Sequence, residues 1–492
     1  MNLRRLHHWI LLAAGLLAAL LAGAALPAAA QDHAAPRGQP LAVPPLPPQN
    51  RAEFLQAADE VLAEMSQIVH LEPKGELKKS IRTREEIRQY VLKDFREDKD
   101  KDKRTSDERM SKMLGLLPDD FPLEDFLLDL LTEQIAGLYD PKTREFYIAD
   151  WIEPGEQREV MAHELTHALQ DEHFAIEKWS DAAKPNDDAE FARHAVLEGS
   201  AFAAMMDWTF RGQGLHFKDV PDLQKLLNPE VMTGGEKDSK FESAPPYLRD
   251  VLLFPYLTGA VFTQRLLQEY GGWAGFYKVF PNPPASTQQI LHPELYLKGV
   301  APVTVTLPAL PASLAPKWKK LDETVAGEFF LLEWLKQFSN TARAEELAAS
   351  WAGDEYAMYE EVKPAAGAAL PRALLVWRIR TAGEAAAARL FGGMSQALDL
   401  RYEQRTDLLR RPNYFEFQTP QGGVFLRCLG AECLVVDGAD RALYDALTAA
   451  LGWPAAPAEP VRKSADQEIA RLRIAPWMLD QRPPIDSAAL LH

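Results

Sequence analysis

The sequence is poor in cysteine, short of basic residues relative to acidic ones, and without long apolar runs beyond its N-terminus. It contains two cysteines in 492 residues, which excludes a disulfide-rich scaffold and a metal site built from several thiolates. Its 71 acidic residues outnumber its 54 basic ones and give a formal net charge of −17, so nucleic acid and acidic lipid are poor candidate partners. After residue 30 the longest apolar stretch, 251–262, is too short to cross a bilayer and contains Pro255.

The N-terminus has the composition of a secretory signal. Arg4 and Arg5 precede an apolar run over residues 10–26, and small residues follow up to Ala30. We expect cleavage after Ala30, export to the periplasm or the extracellular space, and no stable membrane span in the mature protein. An uncleaved anchor is the alternative, for which the run is slightly short.

Both cysteines fall in one predicted hairpin. Cys428 and Cys433 flank four residues and adjoin two strand-like segments, 424–427 and 434–437. Residues that face each other across a tight hairpin can satisfy disulfide geometry in an oxidising compartment. We therefore expect a disulfide, with two buried free thiols as the alternative.

The chain is longer than one hydrophobic core supports, so several domains are expected. Composition and periodicity predict seven regions. They are a signal peptide (1–30), a proline-rich linker (31–50), an N-terminal helical region (51–125), a metal-site domain (126–345), a connector (346–367), a small α+β domain (368–455) and a tail (456–492). The charged run 96–109 is expected to be a solvated loop or helix surface.

The most informative motif is H-E-x-x-H, formed by His163, Glu164 and His167. On a helix, residues four apart lie one above the other, so both imidazoles can bind one zinc ion and leave positions open for other ligands. Glu164 can reach a water at that ion as its general base. Met161, Leu165, Ala168 and Leu169 are expected to form the core face of this helix.

A predicted hairpin leads into the metal helix, which should begin near Pro154. Its turn contains Asp140 and Pro141, and its second strand covers residues 146–148. That strand could pair with an extended substrate as an edge strand does, or simply pack on the helix.

A second amphipathic helix, about residues 188–211, places Glu198 among apolar residues. A carboxylate in that setting needs a partner, and a metal ion is one. His163, His167 and Glu198 with a water would complete a tetrahedral catalytic site for one Zn²⁺. His194 lies four residues before Glu198 and could bind the metal or support a ligand.

The chain resembles an uncharacterised group of secreted bacterial proteins over about residues 127–437. The segments that carry the resemblance are GLYDPKT, HELTHALQD, LEGSA, FPYLTG, STQQILHPELY and WAGDEYAMY. H-E-x-x-H with a later glutamate on a second helix resembles, more broadly, the gluzincin zinc metallopeptidases. This resemblance implies that Glu198 is the third zinc ligand. It also implies a zincin-like core, which the periodicity predicts to be mainly helical. Together with a short hairpin or edge strand before the metal helix and the small C-terminal α+β domain, this core gives an expected fold class of α+β.

The surroundings of the metal depart from that resemblance. The best-known gluzincins carry an acid four residues after the ligand glutamate, and here that position is Phe202. Metal-bound histidines still need an acceptor for the second ring nitrogen. The candidate acceptors are Asp171, Asp188 and Glu190. His173 lies on another face of the helix and is expected to be structural.

Peptidases usually add a second donor to the oxyanion. The candidates are His292 and Tyr256, although His292 could equally pack or cap a turn before Pro293. The leading hypothesis is a secreted or periplasmic zinc peptidase that acts on a peptide or protein. The alternatives are a zinc hydrolase of another amide, such as a cell-wall peptide, and a non-catalytic interaction protein with a degenerate zinc site. Residue types leave these alternatives and the oligomeric state open.

Overall fold

A computed structural model describes residues 48–96, 101–134, 137–151, 154–227, 241, 243–364 and 370–456. The predicted signal peptide, linker residues 31–47 and the tail from residue 457 lie outside the described residues. Within the described residues the protein belongs to the α+β class and contains two β-sheets. No helix of this part has the length and apolar character needed to cross a membrane.

The chain divides into two compact units. The N-terminal unit comprises the described residues within Met1–Lys112, Leu117–Pro302 and Thr324–Phe329. The C-terminal unit comprises those within Met113–Leu116, Val303–Glu323 and Phe330–His492. The predicted boundary at residue 345 therefore falls inside the C-terminal unit.

The N-terminal unit is mainly helical. Its helices are α1 (Pro48–Val69), α2 (Arg84–Arg96), α3 (Lys101–Met113), α4 (Leu123–Gln134), α5 (Pro154–Phe174), α6 (Ile176–Asp181), α7 (Asp187–Phe210), α8 (Leu223–Leu226), α9 (Pro246–Tyr270), α10 (Trp273–Phe276), α11 (Thr287–Leu291) and α12 (Pro293–Leu297). Three 3₁₀ turns lie at Arg211–Gln213, Phe217–Asp219 and Tyr277–Val279. Helix α5 packs against α1 and α7, and α7 packs against α9.

A three-stranded sheet accompanies these helices. Its strands are β1 (Lys78–Arg82), β2 (Gly137–Asp140) and β3 (Glu145–Ala149), in the order β1-β3-β2. The predicted hairpin is confirmed, since β2 and β3 pair antiparallel. Of the two roles left open for residues 146–148, the edge strand is excluded, because β3 also pairs in parallel with β1 and lies at the centre of the sheet.

The N-terminal region differs from its prediction in three places. Helix α1 begins at Pro48, inside the predicted linker, and strand β1 interrupts the stretch predicted as helical. The charged run contributes to α3, where Lys103 is buried and forms an ion pair with Asp187 of α7. A buried cation needs a partner of opposite charge, so this part of the run is structural rather than solvated.

The C-terminal unit is built on a seven-stranded antiparallel sheet of order β4-β5-β6-β10-β9-β8-β7. Its strands are β4 (Trp318–Thr324), β5 (Trp351–Glu361), β6 (Ala373–Thr381), β7 (Thr406–Arg411), β8 (Tyr414–Thr419), β9 (Gly422–Leu429) and β10 (Glu432–Ala439). A 3₁₀ turn lies at Ala315–Lys317, and the helices are α13 (Gly327–Phe338), α14 (Thr341–Ala348), α15 (Glu384–Arg401) and α16 (Arg441–Ala450). Cys428 and Cys433 face each other across β9 and β10 and form a disulfide, as expected.

The predicted small domain is part of this larger unit. The predicted hairpin of segments 424–427 and 434–437 is confirmed, since these segments lie in β9 and β10, which pair antiparallel. The prediction of a connector at 346–367 is wrong, since β5 occupies most of it and pairs along β6. Strands β4 and β7 close the two edges of the sheet and were not predicted.

Candidate metal centre

Helix α5 presents the H-E-x-x-H motif from its middle. The helix begins at Pro154, as predicted, because proline suits the first helical position and loses no hydrogen bond there. His163, Glu164 and His167 are each at most 2% exposed. The residues expected on the opposite, core face are also buried; they are Met161, Leu165, Ala168 and Leu169. The helix is thus enclosed on both faces, which lets charged side chains meet away from bulk water.

Helix α7 brings Glu198 to the two histidines. Its start is capped by the Asn186 side chain, which accepts a hydrogen bond from the Ala189 N–H at 2.9 Å. Eleven residues into the helix, Glu198 is fully buried. The predicted third ligand therefore reaches the motif from a second, independently anchored helix.

The three predicted ligands converge on one point. His163 Nε2 lies 3.1 Å from Glu198 Oε2 and 3.2 Å from His167 Nε2, and His167 Nε2 lies 3.7 Å from Glu198 Oε1. One ligand atom from each residue lies within 4.8 Å of the other two, so this group could hold a metal ion. Ligands at about 2.0–2.1 Å from one tetrahedral zinc ion are roughly 3.3 Å apart, which matches these separations.

The protonation preferences of the ligands suit a cation. Burial lowers the pKa of His163, which favours the neutral imidazole that metals bind. Burial alone would raise the pKa of Glu198, but His167 and His163 outweigh it and hold that pKa well below its usual range. Burial opposes the charged form of His167, yet the Glu198 carboxylate raises its pKa above the usual value. The buried carboxylate of Glu198 thus favours a positive charge beside it.

Glu164 is held by the hairpin. The Tyr139 N–H of β2 donates to Glu164 Oε2 at 2.8 Å, while Glu164 Oε1 is buried without a hydrogen-bond partner. Burial raises the pKa of the Glu164 carboxyl to about 8. The Tyr139 hydroxyl donates to Asp171 Oδ2 of α5 at 3.0 Å, so the same residue is tied to the helix twice. One carboxylate oxygen of Glu164 is thereby fixed and the other is left for a further partner.

Two glycines, Gly199 of α7 and Gly259 of α9, allow the backbones of the two helices to contact each other directly. A Cβ on Gly199 would lie 2.0 Å from the carbonyl carbon of Gly259, and a Cβ on Gly259 would lie 2.2 Å from the Ala195 carbonyl oxygen. This approach brings Tyr256 of α9 to the ligands. Its ring centroid is 6.0 Å from that of His163, and its hydroxyl lies close enough to Glu198 for that carboxylate to raise the pKa of Tyr256.

The other predicted site histidines are less central. His194 Nδ1 lies 3.9 Å from Glu198 Oε1, and its ring stacks beside Phe191, so it borders the ligands. His292 Nε2 contacts Glu328 Oε1 at 2.7 Å rather than one of the three ligands. His173 Nε2 hydrogen-bonds with the Glu72 carbonyl oxygen at 2.8 Å, in keeping with a structural role.

Two of the three acids predicted to orient the histidines accept hydrogen bonds from other groups. Asp171 accepts hydrogen bonds from the Tyr139 hydroxyl and the Ile176 N–H. Asp188 accepts hydrogen bonds from the backbone and the hydroxyl of Thr287. Glu190 is buried in the first turn of α7. Phe202, four residues after Glu198, packs edge-on against Phe217.

Two residues near the site were missed from the sequence, Tyr139 and Gln170. Tyr139 acts on Glu164 through its backbone, and a backbone group has no residue-type signature. Gln170 follows His167 by three residues, which places both on one helix face, and this spacing could have pointed to it.

Comparison with known proteins gives little about this site. Residues 316–448 match a family described as a domain of unknown function (DUF8575), which covers the seven-stranded sheet and not the ligands. No curated protein matches the chain. A crystal structure of a proposed hydrolase with a novel fold from Chloroflexus aurantiacus is similar at 13% identity and a TM-score of 0.32. That similarity covers 59% of this chain and 97% of the other.

Proposed function

We propose that the protein is an exported zinc-dependent peptidase with a zincin-like core, in which Glu164 is the general base. One observation carries the proposal: two imidazole nitrogens and a carboxylate converge within 4.8 Å of one another, beside a second carboxylate. The N-terminal signal composition supports the export, and the H-E-x-x-H spacing with a later glutamate supports the class of enzyme.

The donor set fits zinc. His163 Nε2, His167 Nε2 and the Glu198 carboxylate would hold the ion, and three protein ligands leave the open position that a catalytic zinc needs. Glu198 Oε1 is buried without a hydrogen-bond partner, a costly state that a bound cation relieves. Both nitrogens and oxygens are ligands that zinc accepts.

Zinc, when bound, lowers the pKa of a coordinated water to about 7 and polarises the substrate carbonyl. Glu164 accepts the proton of the attacking water at Oε1 while the Tyr139 N–H holds Oε2 in place. The same carboxyl then gives that proton to the leaving amine. Burial raises the pKa of Glu164, and a cation beside this carboxyl would oppose that rise and favour the ionised form that a base needs.

Tyr256 is the better placed of the two predicted oxyanion donors. Its ring lies beside that of the predicted ligand His163, whereas the imidazole of His292 contacts Glu328 rather than one of the three ligands. Burial and the Glu198 charge raise the pKa of Tyr256 well above its usual value, so its hydroxyl keeps the proton that a donor needs.

A zinc site without catalysis is the second candidate. The observation that favours it is the enclosure of the site, since His163, Glu164, His167 and Glu198 are each at most 2% exposed. A peptidase must open this site to admit a substrate, and a purely structural zinc ion need not.

Cleavage of a peptide library by the zinc-loaded wild type and the Glu164→Gln variant separates these functions. The peptidase proposal expects both proteins to bind one zinc ion, and expects the variant to lose at least about 100-fold in cleavage rate. Zinc binding without cleavage by the wild type would favour the structural site. Equal cleavage by both proteins would refute Glu164 as the base.

A further inference from the structure

Gln170 and His167 carry two buried polar atoms that lie on the same face of α5. Gln170 Oε1 and His167 Nδ1 have no hydrogen-bond partner at standard geometry. The residues are three apart on the helix, a spacing at which side chains meet. Interaction with the Gln170 side chain is also one of the influences on the pKa of His167, after burial and the charge of Glu198.

Ser200 fixes which way the Gln170 amide faces. The Ser200 hydroxyl donates to the Leu197 carbonyl oxygen at 3.0 Å, so its proton is already committed. Its oxygen can then only accept, and it does so from Gln170 Nε2 at 2.8 Å. The amide oxygen of Gln170 therefore faces away from Ser200 and is left as an acceptor.

A histidine that binds a metal through Nε2 carries its proton on Nδ1 and needs an acceptor there. The acid next in the chain, Asp171, is engaged by Tyr139 and Ile176. We propose that Gln170 Oε1 accepts the hydrogen bond of His167 Nδ1–H when zinc is bound, with Ser200 holding the amide. Gln170 is thus a positioning residue for a zinc ligand, an inference that rests on the proposed function.

This arrangement provides an orienting acceptor for His167 although Phe202 stands where gluzincins have an acid. The orienting acceptor comes from the metal helix itself, and α7 contributes Ser200, which secures it. A neutral amide adds no further negative charge beside Glu198. The acceptor therefore orients His167 without increasing the charge that the metal must offset.

The zinc affinity of Gln170→Met tests the inference, measured by competition with a chromophoric chelator. The variant keeps the side-chain length and removes the acceptor, so we expect a 10- to 100-fold loss of affinity. Gln170→Glu restores an acceptor and should bind zinc at least as tightly as the wild type. Gln157→Met is the matched control, because Gln157 is a buried amide of the same helix that donates to the Ala149 carbonyl oxygen instead.

Each result has a separate reading. Unchanged affinity in Gln170→Met overturns the inference and leaves the proposed function standing. An equal loss in Gln157→Met also overturns it, since the effect would then be general destabilisation. A wild type that binds no zinc overturns both proposals together. If Gln170→Met does not fold, Ser200→Ala replaces it, with a smaller loss of affinity expected because only the support of the amide is removed.

Discussion

The contact between α7 and α9 gives a prediction whose size follows from the structure. Alanine at Gly259 would place its Cβ 2.2 Å from the Ala195 carbonyl oxygen, where ordinary contact begins near 3.4 Å. The helices must then separate by roughly 1 Å, since neither backbone can rotate away. Overpacking of this kind costs about 3 kcal/mol, and the higher helix propensity of alanine returns about 1 kcal/mol. We expect a net loss of about 2 kcal/mol in the free energy of unfolding.

The same displacement should weaken the metal site. Helix α9 carries Tyr256, which lies close to Glu198, so a shift of about 1 Å should lower zinc affinity at least about 10-fold. Urea unfolding of the zinc-free protein and a zinc competition assay measure the two effects. Gly212→Ala is the control in the same unit, because a Cβ there meets no atom within 4 Å. Wild-type stability and affinity in Gly259→Ala would refute this account of the helix contact.

Two further predictions concern a positioning bond and a buried acid. Tyr139→Phe removes the hydroxyl that bonds to Asp171 but keeps the N–H that holds Glu164. We expect kcat to fall several-fold with zinc affinity unchanged. An unchanged kcat would show that the bond from Tyr139 to Asp171 does not help to position Glu164. Burial raises the pKa of Asp437 from 3.8 to about 7. The stability that the protonated carboxyl contributes is therefore present below pH 4 and is lost as the pH rises through 7. The loss is at most about 1.4 kcal/mol per pH unit. Asp437→Asn should therefore melt above the wild type at pH 8 and near it at pH 4. The exposed control Asp445→Asn should not, and a wild-type melting temperature of Asp437→Asn at pH 8 would contradict the ionisation argument.

The metal helix, the hairpin before it and the helix of Glu198 could be predicted because their signals are local. The spacing of His163 and His167, the Asp-Pro turn and the apolar periodicity around Glu198 each lie within one element. The convergence of these groups was a further expectation, and the structure brings their ligand atoms together. Local chemistry thus predicted the candidate ligands.

Strands β1 and β4 could not be predicted because their sequences lack the apolar pattern typical of a strand. They read KKSIR and WKKLDET, with few apolar residues and no clear alternation. Each owes its place to pairing with a strand distant in sequence or to the edge of a sheet. The parallel pairing of β1 with β3 places β3 at the centre of its sheet, and so excludes the edge role left open for residues 146–148.

The partners of the site residues were equally out of reach. Glu164 is held by a backbone N–H, and His292 is paired with Glu328, 36 residues later in the chain. Asp171 was a candidate acceptor for a metal-bound histidine because it is an acid close to the motif. Instead it accepts a hydrogen bond from the hydroxyl of Tyr139 in the hairpin. Which donor meets which acceptor depends on tertiary contacts that residue types alone do not specify.

The zinc ligands themselves are the central claim, and X-ray absorption of the zinc-loaded protein tests them most directly. We expect one zinc ion per chain, with about four nitrogen or oxygen neighbours near 2.0–2.1 Å, two of them imidazoles and no sulfur. His163→Ala should lose one imidazole contribution, and Glu198→Ala should weaken binding at least about 10-fold. A spectrum that contains sulfur, or one that the loss of His163 leaves unchanged, would contradict the account.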